Sequence, residues 1–296
     1  MRPCRSFSNA SIPYGGRAFR SGLIVVALGL LYAPVVSGLI SQWRIDPDYS
    51  YGPLIIGASA YLLWRKRIDL SRCPFATSVI GYVVVLAGLA LFLLGEAAAI
   101  AYLMRISFLA VVVGLILFLS GLPMLKVVAF PLTYVLFAIP LPSIVYDRLT
   151  IPLQFLASNL AASTLDAVGI PVLRDGTLIT LARVQLGVTE ACSGIRSLMS
   201  LAAISVLYAY CAFGDWWRRG IVLASAIPIA VVMNAARIML TGILAGWLGS
   251  QAAMGFYHIF SGLLIFAVAA VVLAIEGVAL SRLGPERARW IHGAES

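Results

Sequence analysis

Residues 221–248 read IVLASAIPIAVVMNAARIMLTGILAGWL, an apolar run whose single charged residue is Arg237. A helix needs about 20 predominantly apolar residues to cross a bilayer, and this run exceeds that length. The whole chain has the same character, because 61% of its 296 residues are hydrophobic, 11% are charged and the mean hydropathy is +1.00. A soluble domain carries about 25% charged residues. The sequence therefore predicts an integral membrane protein.

Seven further segments are apolar enough to cross a membrane. They lie near residues 21–40, 52–64, 78–95, 100–120, 124–141, 194–213 and 254–281. The polar stretches between them are too short for a separate core. We therefore predict one all-α integral membrane domain over residues 1–296, with eight transmembrane helices in residues 21–281, an N-terminal tail at 1–20 and a C-terminal tail at 282–296.

The basic residues orient these spans. The net charge is +9, and with eight spans and a cytoplasmic N-terminus most of the 21 basic residues fall in inner segments, as the positive-inside rule requires. A ninth span at 149–169 would place Arg218 and Arg219 outside. We therefore expect both termini in the cytoplasm, and we read the basic excess as topology, with no nucleic-acid partner.

The excluded stretch at 149–169 is apolar but contains Gln154 and Asp166, so we expect an outward-facing interfacial helix or a re-entrant segment. The following sequence, PVLRDGTLITLARVQLGV at 171–188, alternates apolar and polar residues around Asp175 and Gly176. This pattern indicates a small β-hairpin on the outer side. The hairpin would stand just before Cys192.

Cys192 is a candidate nucleophile. It lies 19 helical residues from Cys211, roughly 29 Å at the usual rise, so these two thiols cannot form a disulfide. The alternative role of an unpaired cysteine is that of a small buried apolar side chain. In VTEACSGIRSL, residues 188–198, the cysteine precedes a predicted helix, whose free N–H groups favour a thiolate and bind an oxyanion. Arg196 lies one helical turn on, as a partner of the thiolate or of a carboxylate, or as a snorkelling residue.

Two more polar residues stand out in the last two spans. Arg237 is in the middle of its span, where a charge costs at least about 2.5–3.5 kcal/mol, so a functional role is the default reading. Asn234 lies on the same helical face and either orients the guanidinium or forms an interhelical hydrogen bond. His258, near the outer start of the last span, is either a catalyst or an interfacial anchor.

Other common catalytic machinery is not encoded. The sequence contains no HExxH, no Gly-rich phosphate loop, no GxSxG elbow and no zinc-ligand spacing. We therefore predict neither a metal nor a cofactor.

Three motifs resemble the core motifs of the exosortase/archaeosortase family. They are EACSGIRSL at 190–198, NxxRI at 234–238 and HxxxG at 258–262. Supporting similarity covers DYSYGPLI at 48–55, IPLP at 139–142, PLQ at 152–154 and WRR at 217–219. The third motif carries His258, and this position resembles that of bacterial exosortases, which have histidine there. Archaeosortases resemble the same pattern but have arginine at this position.

The resemblance implies a membrane cysteine protease-transpeptidase with Cys192 as nucleophile and Arg237 and His258 completing the site. Glu190, Arg196 and Asn234 would support them. The implied substrates are exported proteins with a C-terminal sorting tail of the PEP-CTERM type, which is Pro-Glu-Pro, a hydrophobic helix and a basic cluster. The implied location is the bacterial inner membrane, with the site facing the exterior and a link to exopolysaccharide. The acceptor that resolves the thioester stays open among water, an amine, a lipid and a glycan.

Two other functions are compatible with the residues. A transporter or flippase for an anionic lipid or a polysaccharide intermediate would also use an intramembrane arginine and asparagine, and it predicts a polar path continuing inward from Arg237. A scaffold for polysaccharide export would leave Cys192 as packing. A single hyper-reactive outward-facing thiol is expected only of the enzyme.

Overall fold

The computed structural model describes residues 14–74, 76–181, 185–187, 194–248 and 256–283. The chain forms two compact units, Met1–Pro142 and Ser143–Ser296. In the first unit the helices are α1 Tyr14–Ile45, α2 Gly52–Arg65, α3 Arg67–Arg72, α4 Val79–Ala97 and α5 Ala101–Tyr134, with short 3-10 helices at Pro47–Tyr49 and Val135–Ala138. In the second unit they are α6 Ser143–Ala167, α7 Gly194–Ala212, α8 Trp216–Leu248 and α9 Phe256–Arg282, with strands β1 Val172–Asp175, β2 Leu178–Leu181 and β3 Gln185–Gly187.

All eight segments predicted to span the membrane are helical, and five described helices are long and apolar enough to do so. These five are Val26–Ile45, Val79–Ala97, Ala101–Ala138, Trp216–Ile243 and Gly262–Arg282. Leu198–Ala212 is a shorter apolar helix, and α2 has 14 residues. A membrane protein with several apolar helices is therefore confirmed, and the count of eight spans stays a prediction.

Helix α5 consists of two arms that meet at Gly121. Gly121 has a φ of 81°, in the left-handed region that favours glycine, and its backbone interrupts the helix. A Cβ there would also collide with the carbonyl oxygen of Ala76. The break falls between the two segments that the sequence predicts at 100–120 and 124–141, so each arm of α5 corresponds to one predicted span.

Helices α4 and the first arm of α5 form a close hairpin. Three glycines of α4, seven residues apart, lie against α5: a Cβ on Gly88 would meet Val111 Cγ2 at 2.7 Å, and one on Gly95 would meet Met104 Cγ at 2.9 Å. Gly81 lies against the backbone of Phe118. Small residues let helix backbones approach closely where no hydrophobic force between helices operates.

Helix α6 packs along α8 for much of its length. Ala157, Ala161 and Leu165 are fully buried in one cluster with Ala235 and Ile238 of α8. Helix α6 is not among the helices that qualify as spans, consistent with its exclusion from the count. The choice between an interfacial helix and a re-entrant segment stays a prediction.

The predicted β-hairpin is present as part of a three-stranded antiparallel sheet. Strands β1 and β2 pair with Asp175 opposite Leu178, and Gly176 in the connecting turn has a φ of 62°, a conformation that glycine adopts without strain. Strand β3, which the sequence analysis did not predict, pairs with β2. Ile179 and Leu181 of β2 are buried on the cluster shared by α6 and α8, so the sheet is anchored to these helices.

Helices α7, α8 and α9 form the core of the second unit. Their buried side chains are Leu201, Ala209, Phe213, Val222, Ala230, Ala269, Leu273 and Leu280. Arg219 Nε donates to the carbonyl oxygen of Phe213 at 2.8 Å and so satisfies the C-terminal end of α7. The turn between α7 and α8 is thereby fixed, which sets the register of the two antiparallel helices.

Candidate functional site

The structure describes the predicted site residues to different extents. The side chains of Arg237 and Asn234 are described on α8. Arg196 and His258 lie in the first turns of α7 and α9, where the backbone alone is described. Cys192 and Glu190 lie outside the described residues. The geometry of the site is therefore built from α8 outward.

The Arg237 guanidinium lies against Gly262 of α9. A Cβ placed on Gly262 would be 3.1 Å from Arg237 Nη2 and 3.3 Å from its Cζ. Thr241, one turn further along α8, donates its hydroxyl to the carbonyl oxygen of Arg237 at 2.8 Å. The arginine of the NxxRI motif is thus in contact with the glycine of the HxxxG motif.

The register of α8 and α9 also locates His258. His258 precedes Gly262 by four residues, so it lies on the same helical face, roughly 6 Å along the axis. This is the face of α9 that Arg237 contacts. Arg237 and the backbone of His258 are therefore brought to the same side of the α8–α9 pair, as the sequence predicts for two residues of one site.

Two cavities are lined by residues of both α7 and α8. Leu198 lines a first cavity with Asn234, and Leu201 lines a second cavity with Asn234 and Arg237. Gly194, the first residue of α7, precedes Leu198 by one helical turn, and Arg237 follows Asn234 by about one turn of α8. Gly194 is the second residue after Cys192 in the sequence. The described part of α7 therefore shares a cavity with the helix that carries Arg237, and Arg237 contacts Gly262 of α9.

Helix α7 begins inside the bundle rather than at its end. Helix α8 continues beyond Arg237 to Leu248, roughly 16 Å at the rise of an α-helix. The first amide groups of α7 have no partner within the helix, and they lie one turn before Leu198, which shares a cavity with Asn234. An anion between the start of α7 and Arg237 would meet both a helix N-terminus and an arginine.

Asn234 is a buried polar residue with an unused acceptor. Its side chain is 6% exposed, and its Oδ1 has no hydrogen-bond partner among the described residues. It lines two cavities of about 10 Å³ each, a volume that holds about one water molecule. Arg237 lines the second cavity. A buried acceptor without a partner costs about 1–3 kcal/mol, a cost typical of functional sites.

Two residues of α6 belong to this region, and the sequence analysis assigned them no role. Thr150 and Gln154 are both buried and line the first cavity with Asn234. They lie four residues apart, on the helical face that continues to Ser158 and Leu165. This spacing of polar residues could have identified the face from the sequence. It does not tell which helix that face contacts.

The second cavity is lined by hydrocarbon on the side away from the start of α7. Leu201, Phe266 and Ala269 line it there, and the buried core of the three helices follows. No group of three or more His, Cys, Asp or Glu side chains that could hold a metal ion occurs in the part of the chain that the structure describes. The chemistry available at this level is that of an arginine, an amide and a helix N-terminus.

Asn234 provides a test of this geometry that needs no substrate. We expect Asn234→Leu to keep or raise the thermal unfolding midpoint in detergent, because an apolar side chain of similar shape removes an unsatisfied buried acceptor. Asn234→Ala, which leaves a hole, should lower the midpoint and serves as the control. A midpoint lower in the leucine variant than in the alanine variant would contradict the description of Oδ1.

The sequence model of the transmembrane exosortase family matches residues 43–275. The matched region includes the described helices from α2 to α8 entirely and most of α9. Comparison with curated proteins and with solved structures gave no match.

Proposed function

Because this chain belongs to the transmembrane exosortase family, we propose that it is a membrane cysteine protease-transpeptidase that removes the C-terminal sorting tail of exported proteins. One observation carries the proposal. The Arg237 guanidinium lies on Gly262, one helical turn from His258, and Arg237 lines a cavity with Leu201 of α7. The helices that carry Arg237 and His258 are thus adjacent, and Cys192 precedes the first residue of α7 by two positions in the sequence.

The proposed reaction is acyl transfer through a thioester. The Cys192 thiolate attacks the scissile carbonyl carbon, and the carbonyl oxygen takes up the negative charge. The C–N bond then breaks, and His258 gives a proton to the leaving amine. Water or another nucleophile, activated by the same imidazole, attacks the thioester and returns the thiolate. Glu190 and Arg196 flank Cys192 in the sequence and would support its orientation or charge.

Arg237 is the proposed oxyanion partner. Its surroundings on one side are hydrocarbon, from Leu201, Phe266 and Ala269. A charge interacts more strongly with a developing oxyanion in such a medium than in water, because the effective dielectric constant is lower. The amide groups at the start of α7 would be the second set of donors, and Asn234 would fix the guanidinium from one turn below.

The proposed substrate matches the chemistry of a membrane site. An apolar tail helix would lie in the lipid beside the enzyme, and its basic end would stay in the cytoplasm by the rule that orients the enzyme itself. The scissile bond would then reach the outer side. The proposed location is the bacterial inner membrane with both termini inside, and the proposed partners are exported proteins and a water, amine, lipid or glycan acceptor.

The transporter alternative requires polar groups on both sides of the arginine. Beyond the cavity that Arg237 lines, the three helices pack through an apolar cluster that includes Ala209, Val222 and Leu273, and the hydroxyl of the buried Ser205 donates to the carbonyl oxygen of Ala202. Ser225 donates to Glu276 Oε2 at 2.5 Å nearer the other end of α8, so that carboxylate is engaged in a contact between helices. The described packing supports an enzyme that works from one side.

The proposal is tested by trapping the intermediate. Purified protein in lipid vesicles is mixed with a synthetic tail-bearing peptide, quenched with acid and analysed by intact mass. We expect an added mass equal to the acyl part of the peptide, on Cys192 and released by neutral hydroxylamine, as a thioester requires. Cleavage of the peptide without any such adduct, or an adduct on another residue, would contradict the mechanism.

A further inference from the structure

We propose that Gly262 is a positioning residue whose missing side chain makes the space in which the Arg237 guanidinium lies flat against α9. The inference rests on the proposed function, since the guanidinium position matters only if Arg237 acts in the reaction. Under this inference Gly262 of α9 joins the site, because it determines where the Arg237 guanidinium of α8 lies. We call the surface of α9 at Gly262 the arginine seat.

The contact is specific to the guanidinium. The three atoms nearest to a Cβ built on Gly262 all belong to Arg237: Nη2 at 3.1 Å, Cζ at 3.3 Å and Nε at 3.5 Å. The first two distances are shorter than ordinary van der Waals contact, so a methyl group would displace the guanidinium by a few tenths of an ångström. No backbone atom of α8 is among these three neighbours, so the helices themselves need not move apart.

Other glycines of the same unit do not form such a seat. A Cβ on Gly277 of α9 would collide with the Tyr208 ring, so that glycine admits an aromatic side chain of the core. A Cβ on Gly220 of α8 would meet nothing within 4 Å. Glycine inside a helix is less stable than alanine, because its backbone loses more conformational freedom on folding. At Gly262 the space left by the missing side chain is next to the Arg237 guanidinium. We infer that this contact offsets the cost of the glycine.

The position also fixes the spacing between two reacting groups. Gly262 follows His258 by one turn of α9, so a guanidinium seated on Gly262 has a defined height relative to that histidine. A shift of the guanidinium would change its distance to the oxyanion without removing its charge. Misplacement of a catalytic group by about 1 Å can cost about 100-fold in rate.

The experiment compares Gly262→Ala with Gly220→Ala in the peptide cleavage assay with vesicles. We expect the first substitution to lower kcat about 10- to 100-fold with little change in KM, and the second to change neither by more than about twofold. Both replace a helical glycine with a better helix former, so a general effect on helix stability would appear in both. Equal kcat values for the two variants and the wild-type protein would overturn the proposal.

A double-mutant cycle separates seating from a general structural effect. Lysine has no branched planar end, so in an Arg237→Lys background Gly262→Ala should change kcat less than about twofold. Equal factors in the arginine and lysine backgrounds would overturn the arginine seat. If Gly262→Ala does not fold, recovery of the thermal midpoint in the double variant supports it, and failure of both variants to fold overturns it. A wild-type protein that cleaves no peptide instead contradicts the proposed function.

Discussion

Cys192→Ala should abolish tail cleavage, with the rate falling at least about 1,000-fold, while the protein remains folded in the membrane. The reason is chemical, because an alanine has no nucleophile and the remaining groups can only assist the attack of water. The measurement is cleavage of a tail-bearing substrate in cells and of the synthetic peptide in vesicles. Thioester formation should vanish together with cleavage.

The matched control for the thiol is Cys211→Ala. Cys211 lies on α7, one residue before the end of that helix, and is partly buried. Its replacement removes a thiol of the same unit far from the start of that helix, so cleavage should stay within about twofold of the wild-type rate. Processing that survives Cys192→Ala, or a loss of equal size in both variants, would exclude Cys192 as the nucleophile.

The second large effect is expected at Arg237. Arg237→Gln should lower kcat about 100- to 1,000-fold, the range found when one preorganised donor to an oxyanion is removed. Arg237→Lys should be less severe, because the charge remains but the planar guanidinium that lies on Gly262 is lost. The measurement is kcat and KM for the synthetic peptide, since a loss confined to kcat indicates an interaction made only in the transition state.

Arg282→Gln is the control for charge. Arg282 is exposed at the last turn of α9, so its replacement changes the net charge equally without touching the region around Asn234. Cleavage should be unchanged. An Arg237→Gln protein with wild-type kcat would remove the guanidinium from the mechanism, and a raised KM with unchanged kcat would assign it to substrate binding instead.

Much of the fold was predictable because lipid imposes long apolar helices. Length and hydropathy located the helical segments, and the hairpin at Gly176 followed from alternation and turn chemistry. What the apolar runs do not encode is the contact between helices. The packing of α6 along α8 depends on Ala157 and Ala161 matching Ala235, and small apolar residues occur on many faces of a membrane protein.

The candidate site shows the same division. Arg237 and Asn234 were predicted from the cost of polar side chains within a span, a property of one helix alone. The place of Gln154 at the cavity and the seat on Gly262 depend on which residues of other helices lie opposite them. The spacing of residues in the sequence tells which of them share a face of one helix. Which residues of two helices lie opposite each other depends on how their side chains pack.

The hydrocarbon that lines the cavity beyond Arg237 has a consequence for the energetics of the cell. Charged residues within a membrane protein often mark pathways for protons or ions. An energised membrane would lose its ion gradient through such a pathway. The cavity beside this arginine is lined with the hydrocarbon of Leu201, Phe266 and Ala269, and the apolar core of the three helices follows. Abundant expression should therefore leave the proton-motive force intact.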